Sequence, residues 1–445
     1  MKRILFTLGL MTVLLTAFAC ERKGEQSGSN DSGPIKVGVY ADLSGQTSSF
    51  GQSTVNGIKM AAEEINKAGG VNGRQVELII EDDQGRPEQA ATVVTKLISQ
   101  NQVHAVLGEV ASSNSLAAAP KAQAAKVPMI TPSSTNPKVT QVGDYIFRVC
   151  FIDPFQGEVM AKFAANTLKA KRAAILLDVN SDYSRGLGQF FEENFTKLGG
   201  QIVERQSYTQ TDRDFKGQLT SIRSANPEVI FVPGYYGQVG VIAKQAKELG
   251  IKAPLLGGDG WDAPQLFQLG GDSLNGSYMA NHYSVDDPSA ATQKFVSDYK
   301  SHYNGTAPDA IGALAYDAMN VLADAIKRAG TTNGTKLRDA IAQTKGFTGV
   351  TGTINIDDQR NAVKPAVVFE LQNGKYVYKE TIQPGGAAPT TTTSGTAPGA
   401  TNTSTNTAGT GTTTAPPPPP PGSSPATSST TTTTTNTNTT TNRTP

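Results

Sequence analysis

The chain has 445 residues, 37% of them hydrophobic, with 39 Lys and Arg against 38 Asp and Glu and a formal net charge of +1. The two signs are interspersed, so no basic field exists for a nucleic-acid backbone, and nucleic-acid binding is excluded. Only two cysteines occur, Cys20 and Cys150, which excludes a disulfide framework.

The chain opens with Met1-Lys2-Arg3, and Ile4–Ala19 then carries no charge. Cys20 follows, and after it a charged, small-residue stretch to Pro34. This layout predicts an export signal over residues 1–19, its apolar run Ile4–Ala19 shorter than the roughly 18 or more apolar residues of a membrane span, with a linker over 20–34. At the other end, Pro384–Pro445 holds Thr, Pro, Gly, Ser, Ala and Asn, with Arg443 as its one charge. Such a segment cannot bury enough surface to offset its conformational entropy, so a disordered tail is expected over 384–445.

Between these ends, strands and helices alternate. Strand patterns fall at Ile35–Ala41, Val76–Ile80, Val103–Leu107, Met129–Ile130 and Tyr145–Val149. Helix patterns fall at Gly51–Ala68, closed by Gly69-Gly70, and at Pro87–Gln100, where Ala90, Val93, Val94, Leu97 and Ile98 share a face. After Arg148 the rhythm restarts. Strands are predicted at Ala173–Leu177, Gln201–Ser207, Val229–Val232 and Leu255-Leu256, with helices at Tyr183–Leu198, Phe215–Ser224 and after Gly237. Two runs of β-α-β-α, each the size of one domain, predict an α/β fold of two doubly wound lobes. Pro288–Thr344 reads as mostly helical, and Ala366–Leu371 and Tyr376–Ile382 as a hairpin about Gln372-Asn373-Gly374.

Candidate chemistry concentrates in Gly108–Pro137. Two short apolar runs there each end in a hydroxyl-rich turn, Ser112-Ser113-Asn114-Ser115 and Ser133-Ser134-Thr135. Neighbouring parallel strands present such turns at one edge, and their hydroxyls and N–H groups suit a carboxylate. Helix and turn capping is the alternative use of Ser112 and Thr135. The three histidines, His104, His282 and His302, show no metal-ligand spacing. Neither G-x-G-x-x-G after a strand nor G-x-S-x-G occurs, so no metal, nucleotide or other cofactor and no nucleophilic enzyme is expected. Asp259 follows an apolar strand between glycines, and Tyr183, Tyr235 and Tyr236 also follow strands. Hydroxyls on one lobe, with an acid and aromatics on the other, fit a zwitterion. Cys150, after an apolar run, reads as a buried small hydrophobe.

These residues bring a known family within reach. Asp42-Leu43-Ser44-Gly45, Gly57 with Ala61-Ala62, Ile65-Asn66, Gly69-Gly70-Val71-Asn72-Gly73 and Asp82-Asp83 occur in a specific order. Met129-Ile130-Thr131-Pro132, Tyr145-Ile146-Phe147-Arg148, Gly257-Gly258-Asp259-Gly260 and Ala315-Tyr316-Asp317-Ala318 continue it. Over Ile35–Gln383 the chain resembles the solute-binding proteins of the leucine/isoleucine/valine and amide class that serve ABC transporters. The resemblance implies a type I flytrap of two three-layer lobes joined by a hinge crossed three times. The crossings are expected at Arg148–Phe155, Asn281–Asp286 and Asp357–Lys364, with lobes of 35–150 plus 284–358 and 151–283 plus 359–383.

The resemblance also implies roles. Ser112 and Thr135 would bind a ligand carboxylate, Thr135 and the Ser133 carbonyl its ammonium, and Asp259, where relatives commonly carry Glu, would pair with that ammonium. Phe50, often Tyr in the family, would enclose the ligand side chain with Tyr183 and Tyr235, and Trp261 would shape the pocket further. Ala111 stands where some members have a disulfide cysteine. Cys20 resembles a lipobox cysteine, although Ala17 stands where the usual leucine would be, and its acylation would anchor the protein at the outer face of a cell membrane or in the periplasm. The implied partners are an amino acid, branched-chain or otherwise aliphatic, and the permease subunits of an importer, with the receptor itself a monomer and not an enzyme. An amide, urea or organic-acid binder, or a sensory receptor, is the alternative on the same fold.

Overall fold

The computed structural model describes residues 33–385. The leader with Cys20, and the Thr/Pro-rich stretch beyond residue 385, lie outside the described residues. β1 (Ile35–Ala41) has a single partly exposed residue, Lys36, its only charge. A strand covered on both faces needs helices on both sides, and the chain supplies them. α1 (Ser48–Lys67), β2 (Val76–Asp82), α2 (Pro87–Ser99), β3 (Ala105–Leu107), α3 (Ser112–Ala125), β4 (Met129–Thr131), α4 (Lys138–Gln141) and β5 (Ile146–Arg148) complete the first lobe's winding. The sheet is parallel, in the order β2-β1-β3-β4-β5.

The second lobe repeats this plan. It runs α5 (Asp153–Lys162), β6 (Arg172–Asp178), α6 (Asp182–Lys197), β7 (Gln201–Tyr208), α7 (Lys216–Ser224), β8 (Val229–Phe231), α8 (Tyr236–Glu248), β9 (Leu255–Gly257), α9 (Pro264–Gly270) and β10 (Ser277–Asn281). Its parallel order β7-β6-β8-β9-β10 matches that of the first sheet. The chain then returns to the first lobe as α10 (Ala290–His302), α11 (Ala310–Ala329), α12 (Gly334–Ala342) and the small hairpin β11 (Phe347–Gly349) and β12 (Gly352–Ile354). It finishes with β13 (Ala366–Gln372) and β14 (Lys375–Ile382), an antiparallel pair added beside β10.

The structure is therefore the expected α/β fold of two doubly wound lobes. In each sheet the winding direction reverses between two strands, β1/β3 and β6/β8, and loops there part to leave a crevice beyond the strand ends. The chain passes between the lobes at residues 149–152, 282–289 and 355–365. The first and third passages are tied where the Arg148 N–H donates to the Arg360 carbonyl at 3.1 Å. Several elements were not foreseen: α4, α9 and β10 fall where no element was read, and α5 starts at Asp153, inside the stretch read only as a hinge passage. Pro154 in its first turn costs no hydrogen bond, because that N–H would be unsatisfied anyway.

The first lobe's core joins β1 to α1 and α11 through Val37, Val39, Ile58, Leu314, Ala318 and Leu322. These helices meet backbone to backbone at Gly57. A Cβ there would lie 2.1 Å from the Gly312 carbonyl oxygen. Gly57→Ala is accordingly expected to destabilise the protein by about 1–3 kcal/mol through overpacking, read as a lower urea midpoint with an unchanged m-value.

Candidate functional site

Both crevices face the same interlobe space. On the first lobe, the loop after β1 is tied by Asp42, whose carboxylate accepts from Gly45 N at 2.5 Å, Thr47 N at 2.8 Å and Thr47 Oγ1 at 2.7 Å. That turn starts α1 at Ser48 and delivers Phe50 to the cleft. The turns after β3 and β4 are bonded to each other. The Glu109 carbonyl accepts from Thr131 Oγ1 at 2.6 Å and from Ser134 Oγ at 2.8 Å. Arg148, fully buried, donates to the Ser134 and Asn136 carbonyls and so grips the second turn from beneath.

Alternation along this extended turn separates structure from site. Ser134 faces inward and is satisfied. Ser133 and Thr135, one residue to either side, are buried with hydroxyls that have no hydrogen-bond partner. Ser112, at the start of α3, accepts from Asn136 N at 3.2 Å, which also links the two turns. The α3 N-terminus adds its partial positive charge at this place.

The second lobe supplies the acid. Asp259 is 4% exposed and stands at the C-terminal end of β9. Its Oδ1 accepts from Tyr183 Oη and from Gln156 Nε2, both at 2.9 Å, and its Oδ2 lies 2.9 Å from His282 Nε2. Burial pushes the Tyr183 hydroxyl well above 10, so it remains a donor to Asp259, and it accepts the Gly260 N–H at 3.2 Å. Asp153, at the start of α5, is fully buried with neither carboxyl oxygen hydrogen-bonded. Burial, with the Asp259 charge adding, pushes it up to about 8.

Between these groups lies a small cavity walled by Phe50, Val110 and Ile311 of the first lobe and Tyr183, Tyr235 and Asp259 of the second, with Ser133 at its polar end. In this closed arrangement its volume is about 10 Å³, room for about one water and far below the roughly 300 Å³ lower limit of pockets for drug-sized ligands. Tyr183 stacks on Tyr235 with centroids 5.2 Å apart, and Phe50 meets Tyr235 and Tyr236 edge-on across the cleft. The lobes are closed over it. Asp182 exchanges hydrogen bonds with Ser113 Oγ at 2.9 and 3.0 Å, and its carbonyl accepts from Asn136 Nδ2 at 2.8 Å.

Of the residues singled out in the sequence, Phe50, Ser133, Tyr183, Tyr235 and Asp259 line the cavity, and Ser112 and Thr135 belong to the turns that form its polar end. Trp261 is placed elsewhere. In the 3₁₀ turn Asp259–Trp261 successive residues rotate by about a third of a turn, so the indole points under the sheet. It packs over Gly257, donates Nε1–H to the Val232 carbonyl at 3.1 Å and is fully buried in the core. Sequence reasoning missed Asp153, Gln156 and His282, along with the walls Val110 and Ile311. Asp153-Pro154 carried a usable signal, an acid opening a helix directly after a strand of the same sheet edge.

The arrangement is a two-lobed receptor, in which acceptors and donors converge on one cavity from both sides. Cys150 is buried, and burial pushes its thiol up to about 12. The family profile described as periplasmic binding protein matches residues 34–375, and the chain belongs to that family. It is 30% identical over 346 residues to a Leu/Ile/Val-binding protein homolog of Brucella melitensis, covering 77% of this chain and 93% of that one. Among solved structures it is similar to a leucine-binding protein of Thermotoga maritima, with 43% identity, a TM-score of 0.76 and coverage of 79% and 99% of the two chains. It is also similar to a branched-chain amino acid transporter substrate-binding protein of Streptococcus pneumoniae solved with isoleucine, with 34% identity, a TM-score of 0.75 and coverage of 79% and 100%. A solute-binding protein of Rhodopseudomonas palustris solved with 3,4-dihydroxybenzoic acid matches at 29% identity, a TM-score of 0.70 and coverage of 79% and 97%.

The raised Asp153 has a consequence for stability. The folded carboxyl holds its proton where the unfolded one has lost it, so its contribution must fall as pH rises from about 4 to about 8. Asp153→Asn should flatten that part of the profile. The urea midpoint of the unliganded wild type is expected to drop between pH 5 and pH 8 by more than that of the variant.

Proposed function

We propose that the protein is the solute-binding receptor of an ABC importer and that its ligand is an aliphatic α-amino acid. One observation carries the reading: Ser133 of one lobe, its buried hydroxyl unpartnered, and the buried acid Asp259 of the other border one small cavity, and Thr135 and Asp153, also buried with unpartnered oxygens, meet beside them where the Asp153 N–H donates to the Thr135 carbonyl at 3.0 Å. The hydroxyl turns and the α3 N-terminus suit a carboxylate, and the acids suit an ammonium. Phe50, Val110, Ile311 and Tyr235 supply the apolar wall against which a short aliphatic side chain would pack. Ser112 and Thr135 take the carboxylate, Thr135 and the Ser133 carbonyl the ammonium, and Asp259 pairs with the ammonium through the free face of Oδ2.

Closure follows from the same groups. Ligand bound to the first lobe's turns favours the state in which the second lobe's acids reach it, and exclusion of water strengthens that pairing. The permease would read the closed form. The lobes of this reading are 35–150 plus 284–358 and 151–283 plus 359–383, and the family's extracytoplasmic setting is completed by a lipid anchor on Cys20.

The buried acids speak against an aromatic carboxylate as ligand, since a benzoate has no cation to set against Asp259, and against a neutral amide or urea. A thermal-shift and calorimetric panel of leucine, isoleucine, valine, alanine, acetamide, urea and benzoate tests this. The aliphatic amino acids are expected to stabilise the protein by about 2.7 kcal/mol at a hundredfold excess over Kd, with no effect of the amides or benzoate. Asp259→Ala should weaken leucine binding by about 30-fold or more, the cost of roughly 2–5 kcal/mol for breaking a buried charge pair. Ser112→Ala and Thr135→Ala should each weaken it by about 10-fold or more, the roughly 1.5–3 kcal/mol of a hydrogen bond to a charge. Stabilisation by benzoate or an amide alone, or near-wild-type affinity in Asp259→Ala and Ser112→Ala, would refute the assignment.

A further inference from the structure

His282 is the one member of the acid cluster that belongs to a passage between the lobes. It follows β10 directly, and its ring stacks on Phe151 of the first passage with centroids 3.8 Å apart. Its side chain is fully buried. Nε2 meets Asp259 Oδ2 at 2.9 Å, while Nδ1 is buried and has no partner. This contact defines the tautomer. A carboxylate needs a donor, so the proton sits on Nε2, and a second proton on Nδ1 would find no acceptor.

The charges around the ring come from three elements. Asp259 faces it from the turn after β9, and Lys364 of the third passage adds a positive field. Asp153 of α5 stands near Asp259, and burial, with the Asp259 charge adding, pushes its carboxyl up to about 8. Burial foremost, with Lys364 in the same direction, holds the imidazole below its ordinary 6.5, while Asp259 opposes them.

Asp259 Oδ1 already accepts two bonds and Oδ2 accepts one, so a single acceptor direction remains for a ligand ammonium. We infer that His282 is a positioning residue that makes ligand grip depend on its own protonation: neutral, it holds Asp259 open to the ligand ammonium, and protonated, it competes with that ammonium for the same carboxylate. This inference rests on the amino-acid reading of the site. Its sign follows from linkage. A ligand cation beside Asp259 disfavours a second cation on His282, so binding favours the neutral ring, and affinity must fall as pH drops below the ordinary histidine range.

The test uses the full chain with leucine as probe. Leucine affinity of the wild type, measured by calorimetry from pH 7.5 to 5.0, should fall about 10-fold or more. His282→Gln, which keeps an N–H donor but cannot titrate, should bind up to about threefold more weakly than wild type at pH 7.5 and lose less than half as much, on a logarithmic scale, toward pH 5.0. His282→Leu, with no donor, should lose about 10-fold already at pH 7.5. In ¹⁵N-histidine spectra, with His282 identified by its absence from His282→Gln, the ring should show the Nε2–H tautomer at pH 7.5. It should titrate at a lower pH with leucine than without. An Nδ1–H tautomer, titration unmoved by leucine, or equal acid losses in wild type and His282→Gln would overturn the inference while leaving leucine binding intact. Failure of the wild type to bind leucine at pH 7.5 would instead overturn the reading of the site beneath it.

Discussion

A carboxylate taken out of water must be paired, and the interlobe site is organised around that requirement at Asp259. Three donors from three separate elements meet it: Tyr183 from α6, Gln156 from α5 and His282 from the passage after β10. Tyr183 and His282 stand where they do because β6 and β10 end beneath them, and Gln156 arrives in the first turns of α5 from the first passage. The second lobe's order, β7-β6-β8-β9-β10, brings those strand ends to one edge, and the loops carry their side chains to one point. Without this shared edge the acid would be an isolated buried charge.

The first lobe solves the opposite problem. It must present hydroxyls and N–H groups without spending them on its own loops. Alternation does this. Ser134, Thr131 and Ser115 bond inward around the Glu109 carbonyl, and the residues flanking Ser134 keep their hydroxyls free. Arg148 stabilises the same turn through its carbonyls, so rigidity comes from beneath and leaves the cavity side unused. A rigid, pre-organised half and a half that arrives on closure suit a two-lobed solute-binding receptor.

The passages between the lobes are more than connections. Asp153 and Gln156 open the helix that leaves the first passage, and His282 opens the second. Hinge and site therefore share residues, and movement of one lobe on the other moves the groups that bear on Asp259. The Ser113–Asp182 and Asn136–Asp182 bonds hold the closed arrangement from the rim. At the rim, closure is held by side-chain hydrogen bonds between the lobes.

Much of this was legible in the chain. The alternation of uncharged strands with one-faced helices set the α/β class and its two windings, because local periodicity reports which face must be covered. The hydroxyl turns and Asp259 were readable because polar residues at the ends of apolar strands have few other uses. Trp261 and His282 were not. Only Gly260 separates Trp261 from Asp259, yet a 3₁₀ turn sends one into the core and the other into the cleft. His282 lies 23 residues beyond Asp259, and only the adjacency of β9 and β10 brings their side chains to 2.9 Å. Sequence by itself determined which surfaces had to be buried and which residue types could grip a zwitterion. The tertiary structure alone decided which of them meet, because contact across a sheet depends on strand order, and strand order leaves no trace in local pattern.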